Sequence, residues 1–155
     1  MYSIEKFMTQ VFPGYKHFKS EIEYLGLPYT DKNKFILNFR AEISNLIAVE
    51  LMKQGRIIFA PISSWHPMAM KYDLPIDFEY WSRLDEEFIK VSKRLLIIQL
   101  PGWDTSKGVN LETEIANHYN IPIEYINPNN YLHDTSIMVL NFLNVGEEQH
   151  NDDIM

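Results

Sequence analysis

The 155-residue chain contains no cysteine, which excludes disulfides, thiolate metal sites and cysteine nucleophiles. It is also short of basic residues, because 14 Lys and Arg stand against 21 Asp and Glu and give a formal net charge of −7. A protein that binds the nucleic-acid backbone needs basic charge to replace counterions. We therefore expect no nucleic-acid polymer as a partner, although a local basic site for a smaller anion is compatible with this charge.

Long hydrophobic runs are missing as well. The longest apolar stretch, residues 95–100, is far too short to span a bilayer and is interrupted by Gln99. Residues 1–19 carry charged side chains and lack the apolar run of a secretory signal. These observations predict a cytoplasmic protein with no membrane partner, and the chain length suits one α/β domain of ordinary size.

Two nucleotide-binding motifs are absent. No Gly-x-Gly-x-x-Gly follows the first predicted strand, and no Gly-x-x-x-x-Gly-Lys-Ser/Thr is present. A dinucleotide dehydrogenase and a P-loop nucleotide hydrolase are therefore disfavoured. The histidines show no metal-ligand spacing, so we expect neither a metal nor another cofactor.

Short apolar segments alternate with segments of helical periodicity. Asp31 is predicted to cap the first helix, which ends at Gly55. Strands are predicted over residues 21–27, 56–61, 94–100 and 121–126, helices over 31–55, 77–92, 106–119 and 131–145, and a long loop over 62–76. The alternation implies a mainly parallel sheet covered on both faces, a flavodoxin- or Rossmann-like three-layer sandwich. Around this domain, residues 1–20 are predicted as an N-terminal extension and residues 146–155 as an acidic, flexible tail.

In such sheets, ligands bind outside the carboxyl ends of the strands. This rule selects residues 24–30, 61–67, 100–108 and 127–130. In the third segment, Ser106, Lys107 and Gly108 stand where a helix begins, and free backbone N–H groups there favour an anion. Glu112 follows about one turn later, near the strand ends. The alternative is that Ser106 is an ordinary cap and Glu112 an ordinary helical acid.

Three other side chains have open interpretations. Glu114 competes with Glu112 as a functional acid but points to a different face of the helix. Asp85, among aromatic residues of the second long helix, is either a solvated helix-face residue or a functional acid. His66, in a proline-bracketed segment, is either a structural hydrogen-bonding group or a site residue.

Several motifs together resemble the nucleoside 2-deoxyribosyltransferase-like superfamily, and in particular a small branch of it. The resemblance covers about residues 21–128. The matching pieces are Tyr24-Leu25-Gly26-Leu27-Pro28-Tyr29, Ser64-Trp65-His66-Pro67, Leu100-Pro101-Gly102-Trp103, Ser106-x-Gly108 with Glu112 four residues later, Ala116, and Ile121-Pro122-Ile123.

The resemblance implies a flavodoxin-like fold, assembly into homo-oligomers, and cleavage or transfer of an N-glycosidic bond in a nucleoside or nucleotide. It implies that Glu112 is the nucleophile, that Asp85 orients or protonates the leaving base, and that Tyr24 positions Glu112. It further implies that Ser106 contacts the 5′ end of the sugar. Such chemistry needs one carboxylate at the sugar and one proton source at the leaving group. A helix N-terminus would keep Glu112 ionised, and an aromatic surround would raise the pKa of Asp85.

The remaining predicted contacts come from the same segments. One departure is that Pro101 to Asp104 replaces an acidic or amide-rich segment, so Asp104 is either a substitute or a turn residue. The predicted substrate-binding residues are Ser106, Lys107, Gly108, Gly102, Trp103, Asp104, His66, Trp65, Pro28 and Tyr29, with Trp81 also near the pocket rim. A non-catalytic nucleotide- or nucleobase-binding protein on the same fold is the alternative function.

Overall fold

The computed structural model describes residues 20–132, together with residues 7, 10 and 11, which are helical. Most of the predicted N-terminal extension, most of the predicted helix over 131–145 and all of the predicted tail lie outside the described residues. In the part that the structure describes, no helix has both the length and the apolar character needed to cross a membrane.

Four parallel strands form a sheet in the order β2-β1-β3-β4. Along the chain the elements are β1 (Ile22–Gly26), α1 (Lys34–Lys53), β2 (Ile57–Phe59), α2 (Pro61–Tyr72), α3 (Phe78–Ile89), β3 (Arg94–Ile98), α4 (Lys107–His118), β4 (Ile123–Ile126) and a 3₁₀ turn, Pro128–Asn130. This is the predicted α/β class with a parallel sheet, and each strand falls within its predicted range.

Side chains that alternate along the central strands build two separate cores. Leu25 of β1 and Leu96 of β3 pack with Ile43 and Ile47 of α1 on one face of the sheet. On the other face, Tyr24 and its neighbours pack with residues from α3 and α4, namely Ile89, Val109 and Ala116. Helices therefore cover both faces and confirm the predicted three-layer sandwich.

Helix ends follow the predicted signals with one exception. Asp77 accepts a hydrogen bond from the backbone N–H of Tyr80 at 2.9 Å, and Ser106 caps α4. Gly55 ends the first helical segment with a positive φ of 84°. The prediction that Asp31 caps α1 is wrong, because Asn33 is the cap and accepts from the N–H of Phe35 at 2.9 Å.

The predicted loop over residues 62–76 is wrong for most of its length, because α2 occupies Pro61–Tyr72. Pro61 begins the helix, where a missing N–H is harmless. Pro67 lies inside the helix, although proline in a helix interior usually breaks it. In α2 the buried residues are Pro61 and Ala69, so no apolar periodicity marked this segment as helical.

At the amino ends of the strands, a cluster of four charged residues links neighbouring strands of the sheet. Its members are Glu23, Arg56, Arg94 and Glu124. Arg56 Nε donates to Glu23 Oε2 at 2.5 Å, and its other nitrogens donate to both oxygens of Glu124. Arg94 also pairs with Glu124, and its Nε lies 3.8 Å from Glu23. Glu23 is 6% exposed, so its charge depends on these guanidinium groups for compensation.

Replacing Arg56 with Met is expected to destabilise the fold by about 2 kcal/mol, because Glu23 would lose its closest cation while remaining buried. Urea unfolding measured by circular dichroism checks this. The matched control is Lys53→Met, which removes an exposed pair with Glu50 and should cost less than about 0.5 kcal/mol. Equal free energies of unfolding in the two variants would contradict the prediction that buried Glu23 depends on Arg56 for charge compensation.

Candidate active site

A pocket of about 720 Å³ opens at the carboxyl ends of the strands, where the sheet topology predicted a ligand site. Its volume lies in the range of small-molecule sites. Its walls are formed by the residues that follow β1 and by the first turns of the helices α2, α3 and α4. Tyr24, Asp85 and Glu112, the three predicted catalytic residues, all line it.

The Tyr24 hydroxyl lies between the two acids. Its oxygen is 2.6 Å from Asp85 Oδ1 and 3.3 Å from Glu112 Oε1. The three residues come from β1, α3 and α4, so tertiary packing brings together side chains that are 61 and 88 positions apart. Tyr24 is fully buried, and this fixes the position of its hydroxyl.

Glu112 lies in a space that exists because residue 26 is glycine. A Cβ added to Gly26 would be 2.2 Å from Glu112 Oε2 and 3.0 Å from its Cδ. Glu112 is 8% exposed, and Oε2 has no hydrogen-bond partner among the described residues. A buried polar atom without a partner is costly, so a charge on this oxygen is disfavoured where it lies against Gly26.

Burial raises the pKa of both acids. It raises the pKa of Asp85 to about 6, and the hydrogen bond from Tyr24 opposes this effect. Burial and then the charge of Asp85 hold the pKa of Glu112 well above its usual range. The raised pKa of Asp85 agrees with the prediction. Desolvation of Glu112 therefore opposes the predicted effect of the helix N-terminus, which favours the ionised form.

Tyr29 and His66 form a second polar pair in the pocket wall. The Tyr29 hydroxyl lies 2.7 Å from His66 Nδ1, and the two rings meet edge to face. Burial raises the pKa of Tyr29 to about 12 and lowers the pKa of His66. At neutral pH the pair is therefore an uncharged phenol and imidazole. This pairing gives His66 both a structural hydrogen bond and a place in the pocket.

Aromatic rings line the pocket beside Asp85. Trp65 and Trp81 stack in parallel with centroids 5.0 Å apart, and Trp81 Nε1 donates to the Pro75 carbonyl at 2.8 Å. Phe59 and Phe88 stack behind them at 4.2 Å. This arrangement gives the pocket a rigid apolar wall suited to a planar ligand.

The beginning of α4 supplies the predicted anion-binding segment. Ser106, Lys107 and Gly108 line the pocket, as do Gly102, Pro28 and Tyr29. Trp103 and Asp104 do not belong to the pocket lining. Trp103 packs instead against Tyr125, with ring centroids 5.3 Å apart, and Asp104 is exposed.

Sequence reasoning missed two residues, one behind Glu112 and one in the pocket lining. Gly26 enters the sequence argument only as part of a motif, although its position two residues after Tyr24 places it on the same face of β1. Arg40 of α1 also lines the pocket; its Nη1 donates to the Thr30 carbonyl at 3.0 Å and lies 3.6 Å from Asp31. An arginine on the buried side of α1, one turn from Leu37 and Ser44, was the signal that could have revealed it.

Among the residues that the structure describes, no group of three or more histidine and acidic side chains could hold a metal ion. The polar groups that line the pocket include the two carboxyls, the Tyr24 phenol, the His66 imidazole, the side chains of Arg40 and Lys107, and the N-terminus of α4.

Fold and pocket define an α/β protein with a pocket at the carboxyl edge of a parallel sheet, and this pocket contains two acids bridged by a tyrosine hydroxyl. Residues 21–127 match the family described as a domain of unknown function, DUF1937, and the chain belongs to this family. The match covers the sheet and all helices from α1 to α4. No curated protein sequence matches the chain.

Replacing Gly26 with Ala is expected to push the Glu112 carboxyl toward the pocket, because only the end of a flexible side chain occupies the space that the Cβ needs. The pKa of Glu112 should fall, since the group becomes more solvated. Carboxyl-carbon NMR titration measures this directly. The control is Gly108→Ala, because a Cβ at this position has its nearest atoms at 3.9 Å. This variant should leave the pKa of Glu112 unchanged. An unchanged Glu112 titration in a folded Gly26→Ala protein would contradict the prediction.

Proposed function

We propose that the protein cleaves or transfers the N-glycosidic bond of deoxynucleosides or their 5′-monophosphates, with Glu112 as nucleophile. The observation that carries the proposal is the Tyr24 hydroxyl placed between Asp85 and Glu112 at the base of the pocket. The motif resemblance to the nucleoside 2-deoxyribosyltransferase-like superfamily supports the same assignment.

In this reaction, the Glu112 carboxylate attacks the anomeric carbon while the bond from that carbon to the base nitrogen breaks. The bond electrons go to the base, and Asp85 supplies its proton. Water or a second base then attacks the glycosyl–Glu112 ester, which releases the carboxylate and gives hydrolysis or transfer.

The spacing of the acids supports a covalent rather than a single-step route. Both carboxyls lie within hydrogen-bonding distance of one hydroxyl, so the two bonded oxygens are less than about 6 Å apart. Retaining glycosidases, which use a carboxylate nucleophile, have their two carboxyl groups about 5–5.5 Å apart. Enzymes that activate a water directly need about 6.5–9.5 Å.

The walls of the pocket suit the two ends of such a substrate. The Trp65–Trp81 stack lies on the Asp85 side and offers a face for the base. Ser106, Lys107 and Gly108 offer N–H groups, a hydroxyl and a cation for a 5′-phosphate. This local cation favours monophosphates over nucleosides despite the net charge of −7.

The test is incubation with a panel of deoxynucleosides and deoxynucleoside 5′-monophosphates, with free base measured by chromatography. We expect base release, faster from monophosphates. Tryptophan fluorescence in the same samples reports binding, because Trp65 and Trp81 line the pocket. Binding without base release would replace the enzyme by a nucleotide-binding protein, and the absence of both would overturn the proposal.

A further inference from the structure

The Tyr24 hydroxyl can donate only one hydrogen bond, yet it lies within hydrogen-bonding distance of two carboxyls. When it donates to one of them, the contact with the other is a hydrogen bond only if that acid carries a proton and donates to the Tyr24 oxygen. With both hydrogen bonds formed, the three groups make a directed chain with a protonated acid at one end and a carboxylate at the other. No hydrogen-bonded arrangement of this chain has both acids ionised.

Geometry indicates which acid holds the proton in the unliganded protein. The 2.6 Å contact with Asp85 has the length of a hydroxyl bonded to a carboxylate. The 3.3 Å contact with Glu112 is longer, and Oε2 of Glu112 lies against Gly26 without a partner. Taking an ionised carboxyl into such a space costs more than taking a neutral one. Glu112 is therefore the acid and Asp85 the carboxylate.

This resting arrangement is the reverse of what glycosyl transfer needs, because the nucleophile is protonated and the proton donor is ionised. We propose that Tyr24 corrects it as a proton relay: the proton on Glu112 Oε1 moves to the Tyr24 oxygen while the Tyr24 hydroxyl proton moves to Asp85 Oδ1. The step leaves Tyr24 neutral, Glu112 ionised and Asp85 protonated, with no change in total charge. This inference rests on the proposed function.

The relay explains how a buried acid becomes a nucleophile without contact with bulk water. A substrate would favour the transferred state, because positive charge develops at the anomeric carbon beside Glu112 and a basic nitrogen approaches Asp85. Among the described residues, the ionisable groups that act on Glu112 are Asp85 from α3 and Tyr24 from β1. Tyr24 is a positioning residue in this scheme, since it acts through the two acids.

Infrared difference spectroscopy with carboxyl-¹³C-labelled glutamate tests the resting state at pH 7. We expect one protonated glutamate in the unliganded protein, lost in Glu112→Gln and retained in Glu114→Gln, whose side chain is exposed. Absence of this signal from the folded unliganded protein would overturn the inference. This measurement needs no turnover, so it decides the resting state even if the panel shows no base release.

Tyr24→Phe tests the transfer itself and removes a single hydroxyl. Saturation of the wild type with the monophosphates of the panel, whose base nitrogen approaches Asp85, should replace the protonated-glutamate signal by a protonated-aspartate signal. In Tyr24→Phe this replacement should fail, and kcat should fall about 100-fold with KM nearly unchanged. A wild-type glutamate signal that persists at saturation, or proton transfer in Tyr24→Phe equal to that in the wild type, would refute the relay. A failure to bind any of these ligands counts against the proposed function and leaves the unliganded spectrum to decide the inference.

Discussion

Replacing Glu112 with Gln is expected to lower kcat for base release by at least about 1,000-fold, because an amide cannot form the glycosyl ester. The substitution keeps the size of the side chain beside Gly26. It also removes a buried acid whose Oε2 has no partner in the described structure, so the fold should be retained. Chromatography of the released base gives the rate, and circular dichroism verifies the fold.

Glu114→Gln is the matched control for this prediction. It makes the same chemical change two residues away on α4, at an exposed side chain outside the pocket. Its kcat should remain within about twofold of the wild type. Retained turnover in Glu112→Gln together with loss in Glu114→Gln would reverse the assignment of the nucleophile.

Replacing Asp85 with Asn is expected to lower kcat by about 100-fold or more for ordinary bases, since the leaving nitrogen would lose its proton donor. The loss should be much smaller for 7-methyl-2′-deoxyguanosine 5′-monophosphate, whose base leaves without needing a proton. Comparing the two substrates separates a proton donor from a residue that only binds the base. A uniform loss for both substrates would contradict the assignment of Asp85 as the proton donor to the leaving base.

The pH dependence provides a further readout of the same residue. The reactive form of the acid pair holds one proton, so wild-type kcat should fall as the pH drops below about 6, where Asp85 takes up a second proton. It should fall again at high pH, when the last proton leaves the pair through the raised pKa of Glu112. In Asp85→Asn the alkaline limb should disappear, because the pair then has no proton to donate and Glu112 only has to be ionised. An alkaline limb that persists there would assign it to another group.

Strands and most helices were predictable because their signals are local. Short apolar runs marked the strands, while Asp77 and Ser106 marked helix starts through their capping side chains. Helix α2 escaped prediction because its prolines indicate a loop and its buried residues are too few to produce a period. Its stability depends on packing against α1 and β1, which no local pattern records.

The site was predictable only in outline. The topology placed Tyr24 and Glu112 at one sheet edge, and motif resemblance added Asp85. Their contact through one hydroxyl depends on three elements that are distant along the chain. The protonation of Glu112 depends on burial and on the space above Gly26, neither of which a one-dimensional pattern contains.

The cluster of Glu23, Arg56, Arg94 and Glu124 lies at the amino ends of the strands, whereas the pocket that contains the two acids opens at their carboxyl ends. One end ties β1, β3 and β4 together by charge, while the segments that leave the other end of the strands line the pocket. Substitutions at the two ends should therefore have additive effects on unfolding free energy. Substitutions in the pocket lining can therefore change the shape and charge of the pocket while the charged cluster at the opposite ends of the strands keeps its contacts.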